Sequence, residues 1–474
     1  MKKRVMATLL ALTVVMEAVG CGSTSTESTE EVSVMASSEN QPIADAVTEL
    51  TGNQMVVVEG QDWGPAVTKT IIKLNALVSA DSINSDLFSV VETKESFNWA
   101  ALAEGSTEDP SKHVTADTEL TVVAAYTSDD LGNKSGDSEY ITLELGYDPN
   151  TGNPFCYDIF VGNNTICSPY ELAVSLKDNS VIKTADGNEI TSFTVSNTVD
   201  LDSAIYPQLE KVDMTGSFTG SQGHTIKYAS FTPESDGAKH PLVIWLHGAG
   251  EGGSDPRLNT LGNEVTSLFG DEFQKVMGGA YILAPQCPTF WMQYDEEGNW
   301  ADNKGVDSVY LGDLKELIDA YVAEHKDVDT DRIIIGGCSN GGYMTMDMVL
   351  NYPDYFAAAY PICEAYLDAG ITDDQLEAIK DLPIWFVYAE NDPTVDPKTF
   401  EAPTIERLRA IDANVHTSVF ADVHDTTGTY TAEDGSAYQY MGHWSWIYFF
   451  NNQCEENGVN MWKWMSEQLL HKDQ

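Results

Sequence analysis

Between about Met55 and Val199, short runs of β-branched, aromatic and aliphatic residues alternate with turn clusters, at 55–59, 70–78, 120–126, 140–145, 170–176 and 190–195. Strands at this density, with little helical periodicity, predict an antiparallel β-sandwich. After about Tyr206 the pattern changes. Apolar runs at 241–246, 280–284, 332–336 and 382–388 read as strands buried on both faces, and helix-length amphipathic segments separate them. In one such segment Tyr310, Leu311, Leu314, Leu317, Ile318, Tyr321 and Val322 recur at helical spacing. Two folded domains are expected: an all-β sandwich over 55–200 and, over 205–474, an α/β domain around a mostly parallel sheet.

The residues ahead of the sandwich have a different character. Lys2, Lys3 and Arg4 precede an apolar run over 5–16, the layout of an export signal spanning 1–20. That run is too short to cross a bilayer as a mature helix. Ala18-Val19-Gly20-Cys21 resembles a bacterial lipobox, with Ala18 where Leu is usual, so Cys21 is the expected site of lipidation. The alternative is an ordinary small-residue cleavage site and a freely secreted protein. From 21 to 54 the chain is rich in Ser, Thr and Glu, the composition of a solvated tether that would hold the folded part away from a membrane.

Composition narrows the partners. Lys and Arg number 25 against 74 Asp and Glu, a formal net charge of −49. A phosphate backbone is bound by clustered cations, so nucleic acid is excluded as an expected partner. Contact with a membrane is expected only through the lipid anchor. Besides Cys21 there are six cysteines; Cys156 and Cys167, flanking a turn at Gly162-Asn163-Asn164, are the pair expected to form a disulfide in an exported chain. No zinc spacing and no CxxC occurs.

The strongest chemical signal is Gly337-Cys338-Ser339-Asn340-Gly341-Gly342, after the apolar run Ile333-Ile334-Ile335 and before a helix-compatible stretch over 343–350. G-x-S-x-G between a strand and a helix is a nucleophile elbow, in which glycines permit a tight turn that leaves the serine hydroxyl exposed. In this fold the partners follow in the order Ser, acid, His. The strand at 382–388 runs into Glu390, Asp392 and Asp396; Asp392 is preferred as the acid, with the other two as alternatives. Downstream lie His416, His424, His443 and His471. His443, in Gly442-His443-Trp444-Ser445-Trp446, is the preferred base and His424 the second choice. Acyl transfer also needs N–H donors for a developing oxyanion, each worth about 3 kcal/mol in the transition state. Asn340 supplies one. The other is assigned to Ala249, with Gly250 as alternative, in the glycine-rich stretch His247-Gly248-Ala249-Gly250-Glu251-Gly252-Gly253. This stretch lacks the P-loop and dinucleotide-site spacings. The acidic run Asp327-Val328-Asp329-Thr330-Asp331 lacks the Gly and Glu of a calcium loop and reads as a solvated turn before a strand.

Several of these motifs occur together in one known family. Leu246-His247-Gly248-Ala249-Gly250-Glu251, Ala284-Pro285-Gln286-Cys287-Pro288, Trp291-Met292-Gln293-Tyr294, the Ser339 elbow and Gly442-His443-Trp444-Ser445-Trp446 resemble secreted bacterial α/β-hydrolase esterases related to feruloyl esterases and polyhydroxybutyrate depolymerases. Asp62-Trp63-Gly64-Pro65 and Tyr126-Thr127-Ser128-Asp129 resemble the immunoglobulin-like domain that precedes the catalytic domain in that family. The resemblance covers about 55–470. It implies an α/β-hydrolase fold behind an Ig-like sandwich, a Ser339–His443–Asp392 triad, ester hydrolysis with no metal or cofactor, and Trp291 beside the acyl pocket. Trp291, Tyr294, Trp300, Trp444 and Trp446 offer an aromatic cleft for a phenolic or sugar ester, or else are core. Cys338 and Asn340 stand where related hydrolases often carry larger apolar residues, which bears on the substrate more than on the reaction.

The reading is thus an exported, lipid-anchored serine esterase acting on small-molecule esters or those linked to plant polysaccharides. A prolyl-oligopeptidase-like peptidase on the same fold and a non-catalytic carbohydrate-binding lipoprotein are the alternatives. The sandwich domain, lying between tether and enzyme, would orient the catalytic domain or support a homo-oligomer.

Overall fold

Alternation along the first two long strands builds the N-terminal core. Val56 and Val58 of β1 (Leu50–Gln61) and Ile72 and Leu74 of β2 (Gly64–Val78) turn inward two residues apart. The computed structural model describes residues 47–102, 106–107, 109, 111–301 and 305–470; the expected export signal, Cys21, most of the tether and His471 lie outside these. β1 starts inside the stretch expected to be tether. Leu50 is fully buried in the sandwich core and pairs with Phe193, which draws the chain into the sheet earlier than its polar composition indicates.

The remaining strands of this domain are β3 (Phe88–Ser96), β4 (Val114–Leu120), β5 (Val122–Ser128), β6 (Ser138–Leu145), β7 (Phe155–Asp158), β8 (Asn163–Ile166), β9 (Tyr170–Leu176), β10 (Ile182–Lys183), β11 (Glu189–Ile190) and β12 (Phe193–Val195). One sheet runs β12-β1-β2-β6-β5 and the facing one β4-β3-β9, with β7–β8 and β10–β11 as separate hairpins. Every pairing is antiparallel except β1 with β12. The hydrophobic pattern misses β3 and β4. β4 has only Leu120 buried, and β3 carries Glu, Thr, Lys and Ser among its valines, so neither advertises an apolar face. Cys156 and Cys167 are buried free thiols in this structure, not a disulfide. Cys156 stands opposite Thr165 in the β7–β8 ladder, so the two thiols are diagonal neighbours.

The second domain contains β13 (Val212–Thr219), β14 (Thr225–Phe231), β15 (His240–Leu246), β16 (Tyr281–Gln286), β17 (Val328–Cys338), β18 (Ala358–Ile362), β19 (Ile384–Ala389) and β20 (Val415–Phe420). They form one sheet ordered β13-β14-β16-β15-β17-β18-β19-β20. The pairs β13–β14 and β14–β16 are antiparallel; the rest are parallel. The acidic run at 327–331, expected as a turn, opens β17, because Val328 pairs with His240 and extends the ladder. The helices are α1 (Pro256–Leu261), α2 (Asp271–Met277), α3 (Leu311–Glu324), α4 (Asn340–Asn351), α5 (Asp373–Ala378), α6 (Glu401–Ala410), α7 (Trp446–Phe450) and α8 (Met461–Ser466), with a two-residue ribbon of β21 (Glu455–Glu456) and β22 (Val459–Asn460) before the last.

Both faces of the sheet are covered. Leu242, Ile244 and Leu246 of β15 point to the side packed by α3, α4, α5 and α6, and Val243 and Trp245 to the side packed by α1, α2, α7 and α8. This second core is continuous with the sandwich core through Leu201, Leu209, Leu261 and Val265. A shared apolar core makes the two domains one compact unit from Val47 onward.

Trp245 is fully buried, stacked on Phe449 at 6.2 Å and tilted against Phe450 at 4.8 Å, and its indole N–H has no acceptor among the described residues. Its contribution is packing alone. Trp245→Ala should therefore lower unfolding free energy by about 3–5 kcal/mol. Urea unfolding of the variant checks this, and a loss below about 1 kcal/mol would contradict such close packing.

Candidate active site

β17 ends at Cys338 and α4 begins at Asn340, so a single residue, Ser339, makes the turn between them. It has φ 55° and ψ −116°, outside the ordinary regions for a non-glycine residue, at a cost of about 1–3 kcal/mol. Its N–H is held by the carbonyl of Ile362 at 2.8 Å, and its hydroxyl does not cap the helix it precedes. From Ile333 to Leu350, Ser339 is the one residue that is not buried. The turn is that tight because α4 starts against the end of β15: a Cβ on Gly341 would lie 1.9 Å from the Leu246 carbonyl oxygen.

Two strands along, the chain leaves β19 and reaches Asp392. One carboxylate oxygen accepts the N–H groups of Thr394 (2.8 Å) and Val395 (3.0 Å); the other lies 2.7 Å from His443 Nδ1. Both residues are buried. With Asp392 accepting at Nδ1, the imidazole keeps Nε2 free to take a proton from elsewhere. Gly442 allows this approach, since a Cβ there would lie 2.3 Å from Asn391 Oδ1. Trp446 meets the His443 ring edge-on at 5.7 Å and fixes its tilt. The alternatives go elsewhere. His424 pairs with Asp422 at 2.6 Å, His416 with Glu456 at 2.8 Å, and Glu390 and Asp396 are exposed.

The glycine-rich loop follows β15, beside β17 in the sheet. His247 is buried, and burial lowers its pKa to about 4, so it is neutral. Its Nδ1–H donates to the Gly248 carbonyl at 2.7 Å, and its Nε2 accepts the Cys287 N–H at 3.0 Å. A trans peptide points its N–H opposite its carbonyl. Holding the Gly248 oxygen therefore aims the Ala249 N–H the other way, and no described residue accepts that N–H. Asn340, first residue of α4, also has an N–H with no intrahelical acceptor. Its side-chain Oδ1 accepts the Met292 N–H at 2.8 Å, which keeps the amide from folding back over the turn.

Trp291, expected beside an acyl pocket, is fully buried, 5.4 Å from the His247 ring and edge-on to Tyr310. It backs the loop and presents no surface to a ligand. Trp444 is only partly buried, beside Tyr440 and Trp446. A depression lined by Pro353, Lys380, Pro383 and Asn414 lies at the opposite, N-terminal ends of the parallel strands, away from all these groups.

Several carboxyls of this domain are buried, which local sequence does not reveal. Burial pushes Glu251 up to about 8 and Glu364 up to about 8. Glu264, Asp347 and Glu401 are raised for the same reason, Glu264 also by Asp62 and Glu401 also by Glu364. Their burial depends on neighbours distant in sequence, even for Glu251, which lies in the glycine-rich stretch after β15.

A serine on a strained strand-to-helix turn, with a His–Asp pair and free N–H groups at the carboxyl ends of parallel strands, defines an α/β hydrolase of the serine type. Comparison with known proteins gives the family. The family model described as the esterase Ig-like N-terminal domain matches residues 53–191, and that described as phospholipase/carboxylesterase matches 229–430. The crystal structure of a thermostable esterase is similar over 89% of this chain and 100% of its own length, at 26% identity and a TM-score of 0.65. A ferulic acid esterase (16% identity, TM-score 0.35, 45% of this chain and 91% of that one) and an acylaminoacyl peptidase of Pyrococcus horikoshii (16%, 0.37, 66% and 51%) are more distant, and neither likeness carries weight. No curated protein matches. The chain thus joins an esterase Ig-like N-terminal domain to an α/β-hydrolase domain of the phospholipase/carboxylesterase type, and is a serine carboxylic ester hydrolase.

The raised carboxyls set a pH dependence. Each stays protonated in the folded chain where it ionises in the unfolded one, so the folded state binds more protons and stability falls as pH rises. For Glu251 the window runs from its ordinary 4.5 to about 8. Urea unfolding should give a larger free energy at about pH 5 than at about pH 8, and Glu251→Gln should flatten that slope. Stability that climbs over this window, or a slope unchanged in the variant, contradicts the assignment.

Proposed function

We propose that this chain hydrolyses carboxylic esters with Ser339 as nucleophile, His443 as general base and then acid, and Asp392 as the group that orients and stabilises the imidazole. The observation that carries this reading is the 2.7 Å contact of His443 Nδ1 with Asp392, made at the end of the sheet where Ser339 alone breaks the buried run. Ser339 Oγ attacks the ester carbonyl carbon while its proton passes to His443 Nε2. The Ala249 and Asn340 N–H groups receive the oxyanion. Collapse breaks the C–O bond and the alcohol leaves with the proton from His443. Water then repeats the sequence on the acyl-enzyme, releasing the acid and restoring Ser339. Asp392 is itself held in place by the Thr394 and Val395 N–H groups.

Trp444 is the aromatic surface proposed to meet the substrate, since it stays partly open next to His443. That favours small esters with an apolar or phenolic acyl group. Purified protein should hydrolyse p-nitrophenyl acetate, p-nitrophenyl butyrate or methyl ferulate, and Ser339→Ala should lose nearly all of it, a factor of about 10⁶ if the triad acts as a unit. A serine-reactive phosphonate should label the parent and not the variant. Hydrolysis of peptides but of no ester would sink the substrate class; undiminished activity in the variant would sink the nucleophile.

Export and anchoring are proposed from the N-terminal sequence alone, on the basic start, the apolar run and Cys21. Cells expressing the whole chain should carry it in the membrane fraction, and Cys21→Ala should release it to the soluble or extracellular fraction. The same distribution for both chains would rule out lipidation at Cys21.

A further inference from the structure

The loop that carries Ala249 is gripped from two sides, and one of the grips belongs to the other domain. Asn164, on β8, donates both its main-chain N–H (2.8 Å) and its side-chain Nδ2 (2.9 Å) to the Gly250 carbonyl. Asn163 Nδ2 donates to the Gly252 carbonyl at 3.0 Å. Tyr157, on β7, lies over Gly250, where an added Cβ would meet its ring at 3.5 Å. On the inner side His247 holds the Gly248 carbonyl. The carbonyls of Gly248, just before Ala249, and of Gly250, just after it, are thus pinned by different domains. The sandwich also braces the chain on either side of His443: Gln61 Oε1 accepts the Tyr430 hydroxyl at 3.1 Å, and Asp62 Oδ1 accepts Asn451 Nδ2 at 2.9 Å.

An N–H donor stabilises an oxyanion only if it is already aligned when charge develops, because any reorganisation subtracts from the gain. Gly248 and Gly250 on either side of Ala249 leave that alignment to outside contacts. We propose that the β7–β8 hairpin completes the catalytic centre, with Asn164 as a positioning residue that holds the Ala249 N–H on the oxyanion. The proposal rests on the oxyanion assignment above. Asn164 touches no reacting atom; it acts through Gly250.

The test uses the full chain with Asn164→Ala and Asn164→Asp; both keep the main-chain bond and lose the side-chain donor, and the second also keeps the shape while placing an acceptor there. Both should lower kcat on p-nitrophenyl butyrate about tenfold, less than loss of an oxyanion donor itself, with KM unchanged. Inactivation by a p-nitrophenyl phosphonate, whose P=O oxygen occupies the same place, should slow by the same factor. The melting temperature should stay at the parent value. Unchanged kcat in folded Asn164→Ala overturns the proposal. So does a lowered melting temperature with parental kcat at low temperature, or a change confined to KM. Ser339→Ala in the same series separates the two ideas: activity surviving there defeats the proposed function, whereas its loss beside a normal Asn164→Ala defeats only the positioning role.

Discussion

The close approach of α4 to the carbonyl end of β15 constrains everything else in the catalytic domain. Gly341 lies so near the Leu246 carbonyl that no side chain fits between them, and the chain must therefore turn within one residue. That turn puts Ser339 at a backbone conformation costing about 1–3 kcal/mol. The compensation is spread over the two faces of the sheet, where Trp245, Tyr360 and Phe449 stack on one side and Tyr343 and Tyr366 on the other. The strain is local and the support is global. The same approach brings the first N–H groups of α4 beside the loop that follows β15, so the elbow and the two proposed oxyanion donors arise from one packing event.

Electrostatically the site follows a simple division. The carboxylate that faces His443 accepts two backbone N–H groups. Glu251, Glu364 and Glu401 are instead buried, each with at least one oxygen that lacks a hydrogen-bond partner among the described residues, which favours the neutral form. In a chain with a net charge of −49, this arrangement keeps extra negative charge out of the domain's interior. His247 is handled in the same way: burial keeps it neutral, so it can accept at one nitrogen and donate at the other, which an imidazolium could not do.

What was legible in the sequence follows from how local each signal is. The strands at 241–246, 332–336 and 382–388 and the helix around Leu314 and Tyr321 depend on their own residues, and the observed elements overlap them. So does the elbow, because its glycines and its flanking apolar run lie within a few residues of Ser339. β3, β4, β13 and the β7–β8 hairpin were not legible, since their polar faces are covered or paired only in the assembled fold. Trp291 shows the opposite error: its place in a motif pointed to a ligand pocket, yet the tertiary fold turns the ring inward against His247. A glycine and flanking aromatics favour His443 over His424 in the sequence, and distances put His443 against Asp392 while His416 and His424 pair with Glu456 and Asp422.

The inter-domain contacts decide how the chain should be divided. A linker between independent domains would show a polar, poorly packed boundary. Here Leu201, Leu209, Leu261 and Val265 join the two cores, and buried Asp62 reaches Asn451 across the boundary. The family matches end at 191 and resume at 229, but the apolar core does not stop between them. The α/β half shows the same dependence from its own side. It leaves the Gly250 and Gly252 carbonyls to be satisfied by Asn164 and Asn163, which lie in the other half of the sequence. Removing the sandwich would uncover apolar surface and free those carbonyls together, so stability and loop order are coupled through one interface. The folded unit of this esterase is therefore the pair of domains, with the sandwich forming the outer wall of the loop that follows β15.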